Sequence, residues 1–183
     1  MTVKEAIYTA AGMLGIEGRV REYLENGASD GKQDAEALLR CFNAVESEIA
    51  LDYLPLCAED ELVSETGVIE YSLLSNAAIR VVRVLDEGGN GAPFRLYPKY
   101  VKTVPGKVRI VYAYAPKEKT ADENSDFLLY TSPRLFGYGM AAEYCLAAGL
   151  FEDAEVWDNK YKDALSAAYR SRPARKIRGR RWA

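Results

Sequence analysis

The sequence contains no histidine. That absence removes the commonest general base and the commonest metal ligand together. Ser–His and Cys–His nucleophile systems are excluded with it. Cysteine is sparse: Cys41, Cys57 and Cys145 are odd in number, far apart and form no CxxC pair. No disulfide framework, zinc site or redox pair follows from such spacing. Free cysteines within helical segments, as expected for Cys41 and Cys145, behave as small apolar residues. No apolar run approaches the ~18 residues that a membrane span requires. The opening MTVKEAIYTAAGML lacks the basic start, apolar core and cleavage site of a signal peptide. The expected setting is therefore a reducing cytoplasm, with no membrane partner.

What is present is a normal globular composition, 49% apolar over 183 residues, enough for one domain or a compact core with appendages. Charge is distributed unevenly. Residues 170–183 carry seven basic side chains and no acidic one. The other 17 basic residues face all 27 acidic ones, a net of −10 on residues 1–169. Such an asymmetry suggests an arm that reaches for a partner.

Along the chain, Thr2 with Glu5 makes a capping box for a first helix, with Ile7, Ala10, Ala11 and Leu14 as its apolar stripe. Gly12, Gly15 and Gly18 end it near Leu14, a short helical piece follows over 19–25, and 26–31 is a turn. Over 32–53, Ala35, Leu38, Phe42, Val45, Ile49 and Tyr53 recur at helical steps. Glu36, Arg40, Glu46 and Asp52 fall mostly on the opposite, solvated side. Pro55 ends that helix.

Short β-prone stretches then appear over 61–74, and 79–84 reads as a strand followed by a glycine-rich turn over 87–93. Pro98 marks 94–104 as an edge or bulge. The alternation in 107–115 sets Val108, Ile110, Tyr112 and Tyr114 on one face and Arg109, Val111 and Ala113 on the other. A polar loop covers 117–125. Ser132-Pro133 is an N-cap with proline in the first helical position, and that helix, rich in glycine and alanine, runs to about Ala148. Gly149 suits the left-handed cap between it and a last helix from about Glu152. On that last helix Ala154, Trp157, Tyr161, either Ala164 or Leu165, and Ala168 share a face.

The fold expected is α+β: a helical bundle built from N- and C-terminal helices, a small antiparallel β insert, and an extended C-terminal arm. Its parts are 1–58, the N-terminal helical portion; 59–127, the β-rich insert; 128–169, a helical hairpin; and 170–183, the arm.

Candidate sites are weighed against plain structural roles. Gly88-Gly89-Asn90-Gly91 lacks both the Lys-Ser/Thr of a P-loop and the GxGxxG order, and reads as a hairpin turn. Glu59-Asp60-Glu61 follows a helix end, and Glu152-Asp153-Glu155 sits at a helix N-terminus, where the dipole favours negative charge. A carboxylate-only Mg²⁺ or Mn²⁺ enzyme would need such groups to converge, and their spacing offers no support. Tyr112 and Tyr114 could stack nucleobases but sit as core residues of a half-buried strand do. No catalytic, cofactor or metal residue is proposed, and no enzyme is expected.

The arm is where a functional reading competes. Arg170, Arg172, Arg175, Lys176, Arg178, Arg180 and Arg181 supply its charge; Ile177 and Trp182 are apolar. Pro173 breaks the preceding helix. The arm could bind nucleic-acid phosphates, bind an acidic protein surface, or simply solubilise the end. Ile177 and Trp182 favour docking into a protein, because Trp and Arg are enriched at interface hot spots.

The residues also carry a resemblance. VRIVYAYAP at 108–116, LLYTSPRLFGYGMAAEYCL at 128–146, EDAEVWDNKY at 152–161 and the basic end follow an N-terminal helical part. In element order this resembles the head-to-tail adaptor (connector) proteins of tailed bacteriophages, including the tail accessory factor and gatekeeper types. The resemblance covers most of the chain and is strongest over 108–169. It is a pattern of element types and not a catalytic signature.

It implies a structural virion protein of the neck, made in the host cytoplasm and attached beneath the portal after genome packaging. Such proteins form rings, commonly of about twelve copies. The resemblance makes 170–183 a portal-binding arm and the surfaces of 32–53 and 133–169 subunit contacts. A tail or stopper protein would lie below, and DNA would pass through the channel without specific binding. The alternatives are a nucleic-acid-binding protein that uses the arm, or a related stopper or tail-completion protein.

Overall fold

The computed structural model describes residues 1–127 and 131–170. The chain mixes helix and strand and divides into two compact units: 1–42 with 119–183, and 43–118.

In the first unit, α1 (Val3–Met13) starts on the expected capping box. The Thr2 hydroxyl accepts from the Glu5 N–H at 3.1 Å, and Glu5 Oε2 accepts from the Thr2 N–H at 2.8 Å. Its stripe is buried from Val3 to Ala11. The polar loop over 117–125 is tied to it by backbone bonds: Val3 N–H donates to Glu123 O and Lys4 N–H to Ala121 O. Next comes α2 (Glu17–Asn26), which ends on left-handed Gly27, and then a single 3₁₀ turn, Ser29–Gly31. Close approach fixes Gly31: a Cβ there would lie 1.9 Å from the Arg19 carbonyl oxygen.

The boundary between the units falls inside α3 (Lys32–Glu48), whose stripe of Ala35, Leu38, Phe42 and Val45 is buried, as is Ile49 after it. Two expectations about 32–53 are corrected. A π-helical turn, Ile49–Tyr53, closes the segment, and the added residue per turn rotates Tyr53 off the stripe; it is exposed. Glu46, placed on the solvated side by periodicity, is buried at 1% exposure.

The C-terminal helices follow the sequence signals closely. In α4 (Pro133–Ala147) the Ser132 hydroxyl accepts from Leu135 N–H, and Pro133 occupies the first turn. Gly149, at φ 76°, turns the chain into α5 (Phe151–Arg170). Ala154, Tyr161 and Leu165 are the buried positions of α5, and Trp157 stacks on Tyr138 at 5.9 Å. Phe136 stacks on Phe42 at 5.1 Å. The small residues of α4 do what small residues allow. A Cβ on Gly137 would sit 2.9 Å from Thr9 Cγ2, so the Thr9 and Met13 side chains of α1 pack directly on the α4 backbone.

The second unit holds two three-stranded antiparallel sheets. One has the order β1 (Leu56–Ser64), β6 (Gly106–Tyr114), β3 (Ala78–Leu85). The other has β2 (Val68–Glu70), β5 (Tyr100–Lys102), β4 (Arg95–Leu96). Strand β6 is central, and Val108, Ile110 and Tyr112 join Val81, Val84, Ile69 and Val101 in one buried cluster. Each fully buried side chain of this kind contributes about 1.5–3 kcal/mol. Val111 and Ala113 on the opposite face of β6 are buried too.

Three local expectations change here. Residues 59–61 lie inside β1 and not after a helix end. Pro98 sits in the turn between β4 and β5, where the Tyr97 N–H donates to Tyr100 O. The glycine-rich turn closes a Leu85–Gly91 bridge, but the strands flanking it, β3 and β4, belong to different sheets.

Candidate interaction surfaces

The carboxylate triplet of β1 shows why a cluster in sequence is not a cluster in space. Successive strand residues point to opposite faces. Glu59 and Glu61 face solvent and meet cations across the ladder. Arg109 Nε lies 3.1 Å from Glu59, while Arg109 Nη2 and Lys107 Nζ each lie 2.8 Å from Glu61. Lys107 first, then Arg109, holds the Glu61 carboxyl below its ordinary range. Asp60 points the other way, into a network. It accepts from Ser75 N–H at 2.7 Å, Ser75 Oγ–H at 2.8 Å and the Tyr112 hydroxyl at 2.7 Å. Burial alone would raise Asp60, but the Ser75 and Tyr112 donors outweigh it and keep the carboxyl low. Tyr112 also accepts from Asn76 N–H at 3.1 Å and is 0% exposed, so its ring presents no stacking surface.

The glycine-rich turn is closed on itself. Asn90 N–H donates to the Asp86 carboxylate at 2.8 Å, Gly89 N–H to Asp86 O, and Asp86 N–H to Asn90 O. Those donors are turned inward and cannot meet a phosphate. Among the described residues, no group of three or more His, Cys, Asp or Glu could hold a metal ion, and no helix is long and apolar enough to cross a membrane.

The cysteines separate by environment. Burial first, with Glu143 nearby, pushes the Cys41 thiol up to about 11, and burial raises Cys145 as well. Cys57 is exposed on β1. In the first unit Asp34 ties two elements together: Arg19 Nε lies 2.7 Å from it and the Tyr144 hydroxyl donates to it at 2.6 Å. Burial, then Asp34, pushes Tyr144 up to about 12.

Of the predicted docking residues, Arg170 ends α5, is exposed, and donates from Nε to Ser166 O at 3.3 Å. Arg172, Arg175, Lys176, Ile177, Arg178, Arg180, Arg181 and Trp182 lie outside the described residues.

One surface was missed by pattern reading. Where α4 passes into α5, Leu146, Leu150, Phe151 and Val156 stand at 53%, 50%, 68% and 53% exposure. Ala142, Leu146, Phe151 and Ala154 floor an open groove of about 260 Å³, rimmed by Glu143, Glu155 and Asp158. Four large apolar side chains this exposed on one helix-hairpin end form a patch of the kind that interaction surfaces use. The signal present in the sequence was the run Leu146 to Phe151, which continues apolar past the last position that the helix stripe can bury. No protein-family model matches the sequence, and no curated protein matches it.

Proposed function

We propose that the chain is a structural virion protein: a head-to-tail adaptor that forms a ring under the portal of a tailed bacteriophage and lines the DNA exit channel. The observation that supports this most is the opposition of charge, a −10 body continuous with a seven-cation arm. A conduit for DNA must not grip it, and a net acidic wall repels phosphates. The arm has the opposite task, to seat in a neighbouring protein, and carries Arg and Trp for it.

In this reading the N- and C-terminal helices build a bundle wall, the antiparallel strands form an insert, and 170–183 extends to the portal. A closed ring needs only a modest surface per pair, repeated around the circle. The protein then belongs to the neck of the particle, with a tail or stopper protein as its lower neighbour.

The test is the mass of the free chain, of the chain mixed with portal, and of a chain truncated after Tyr169 and mixed likewise. A portal complex that disappears on truncation is expected. No ring and no portal complex under any condition refutes the proposal. The basic arm itself favours a second reading, nucleic-acid binding, which predicts retention on DNA that falls steeply with salt.

A further inference from the structure

The acidic-rimmed groove and the residue that begins the basic segment, Arg170, stand at opposite ends of one helix. The groove lies at the N-terminal end of α5, with Glu143 and Leu146 supplied by α4. The arm leaves from Arg170 at the C-terminal end. At ~1.5 Å per residue, the two ends of this helix are roughly 28 Å apart.

We propose that the α4–α5 groove is a docking site for the C-terminal arm, residues 171–183, of a second copy of this chain. The chemistries match term by term. The floor is apolar and open to solvent, with Phe151 and Leu146 more than half exposed. Ile177 and Trp182 are the apolar side chains of the arm with the size to cover it, and a Trp buries on the order of 150–250 Å². The rim carries Glu143 and Glu155, with Asp158 beside them already paired to Lys162; between and beside the two apolar residues of the arm stand Lys176, Arg178, Arg180 and Arg181. Arginine is the cation suited to paired carboxylates, because its fork donates bidentately.

Placement selects the second copy over the same chain. A donor at one end of a helix and an acceptor at the other is the layout of head-to-tail association, in which each copy gives an arm and receives one. The arm's own groove is within reach, since thirteen extended residues span up to roughly 45 Å. Reaching it requires the arm to double back along the whole of α5. This inference goes beyond the portal reading and concerns the chain before it meets another protein. A portal with a better seat would draw the arm away.

The experiment is sedimentation velocity on the full chain, without portal, over two decades of concentration at low and high salt. Concentration-dependent association that weakens with salt is expected. Excess synthetic peptide 171–183 should dissolve it. The double variant Glu143→Arg with Glu155→Arg should weaken association about tenfold or more. Both positions are exposed, so its circular-dichroism melting curve should match that of the unaltered chain.

The decisive arm is a charge swap. Arg178→Glu with Arg181→Glu should weaken association alone to a similar degree, and mixing the two variants should restore it. A chain that stays monomeric at every concentration overturns the proposal. So does association indifferent to the groove reversal, or a mixture that fails to recover. A monomeric Glu152→Cys, Ala183→Cys variant that closes a disulfide within its own chain on oxidation assigns the arm to its own groove and overturns the second-copy docking. All of these results are read without portal, so they stand apart from the test of the adaptor reading.

Discussion

Removing the Tyr112 hydroxyl should cost more than any surface change in the strand-rich unit, and the cost should depend on pH. That residue is 0% exposed, and its hydroxyl donates to Asp60 at 2.7 Å and accepts from Asn76 N–H at 3.1 Å. A hydrogen bond to a charged acceptor contributes about 1.5–3 kcal/mol, and the Asn76 N–H loses its acceptor in the same step. Tyr112→Phe should therefore destabilise by about 2 kcal/mol at neutral pH. Asp60→Ala removes the acceptor of three donors and should cost about 3 kcal/mol. If the two groups act through each other, the double variant should cost less than the sum, with a coupling of about 1.5 kcal/mol.

The pH dependence has a definite sign. The Asp60 carboxyl is held below its ordinary value, so its contribution is complete above the unfolded-chain value of about 3.9 and is lost as pH falls through the folded value. The Tyr112→Phe penalty should shrink over the same acid range, because a neutral carboxyl is the weaker acceptor. The assay is urea unfolding followed by far-ultraviolet circular dichroism, at neutral pH and at successively lower pH, for the four chains of the cycle. A coupling within about 0.3 kcal/mol of zero would refute the network as an energetic unit. So would a penalty that ignores protonation of the carboxyl.

Gly31→Ala places a methyl 1.9 Å from the Arg19 carbonyl oxygen, a backbone atom that yields only if α2 moves. The expected cost of about 3 kcal/mol lowers the melting temperature by roughly 9 °C, and an unchanged melt sinks the close-packing argument. Thiol titration with a disulfide reagent at mildly alkaline pH should label Cys57 first, since burial holds Cys41 and Cys145 in the thiol form; a second cysteine reacting as fast as the first would contradict this. Tyr144, pushed up to about 12, contributes stability that is whole below the ordinary tyrosine value of about 10 and lost between there and about 12. Absorbance titration of Asp34→Asn should show one tyrosine ionising earlier than in the parent chain; an unshifted curve argues against the Asp34 contact.

Helix ends were legible because their chemistry is local. Thr2 with Glu5, Ser132 with Pro133, and Gly149 each act on backbone groups within four residues, and all three stand where they were read. The stripe of α3 was legible for the same reason, until the π-helical turn changed its phase and took Tyr53 out of it. Strand β1 was hidden because it is made by a partner 40 to 60 residues away. Leu56 pairs with Tyr114 and Ser64 with Gly106, and the charged centre of the strand is supported by Arg109 and Lys107 of β6. Short pairings such as β4 with β5 depend on a turn at Pro98, which in sequence reads as a reason to doubt a strand and in space is the reason the two strands meet.

The interaction surfaces follow a different logic from catalytic ones. An active site announces itself by residue type, because few side chains can move a proton or hold a metal. A docking surface uses the same leucines, phenylalanines and glutamates that build cores and solvated faces. Leu146 and Phe151 fit an amphipathic helix pattern as well as Leu135 and Phe136 do, yet the first pair is more than half exposed and the second is at 3% and 0%. Periodicity states that a helix has an apolar side; it does not state whether this chain or another covers it. What the sequence does show is the charge of the missing cover. A groove edged by Glu143 and Glu155, with Asp158 already paired to Lys162, calls for cations flanking an apolar anchor. The stretch of the chain most densely basic, with seven cations around Ile177 and Trp182, is its last fourteen residues.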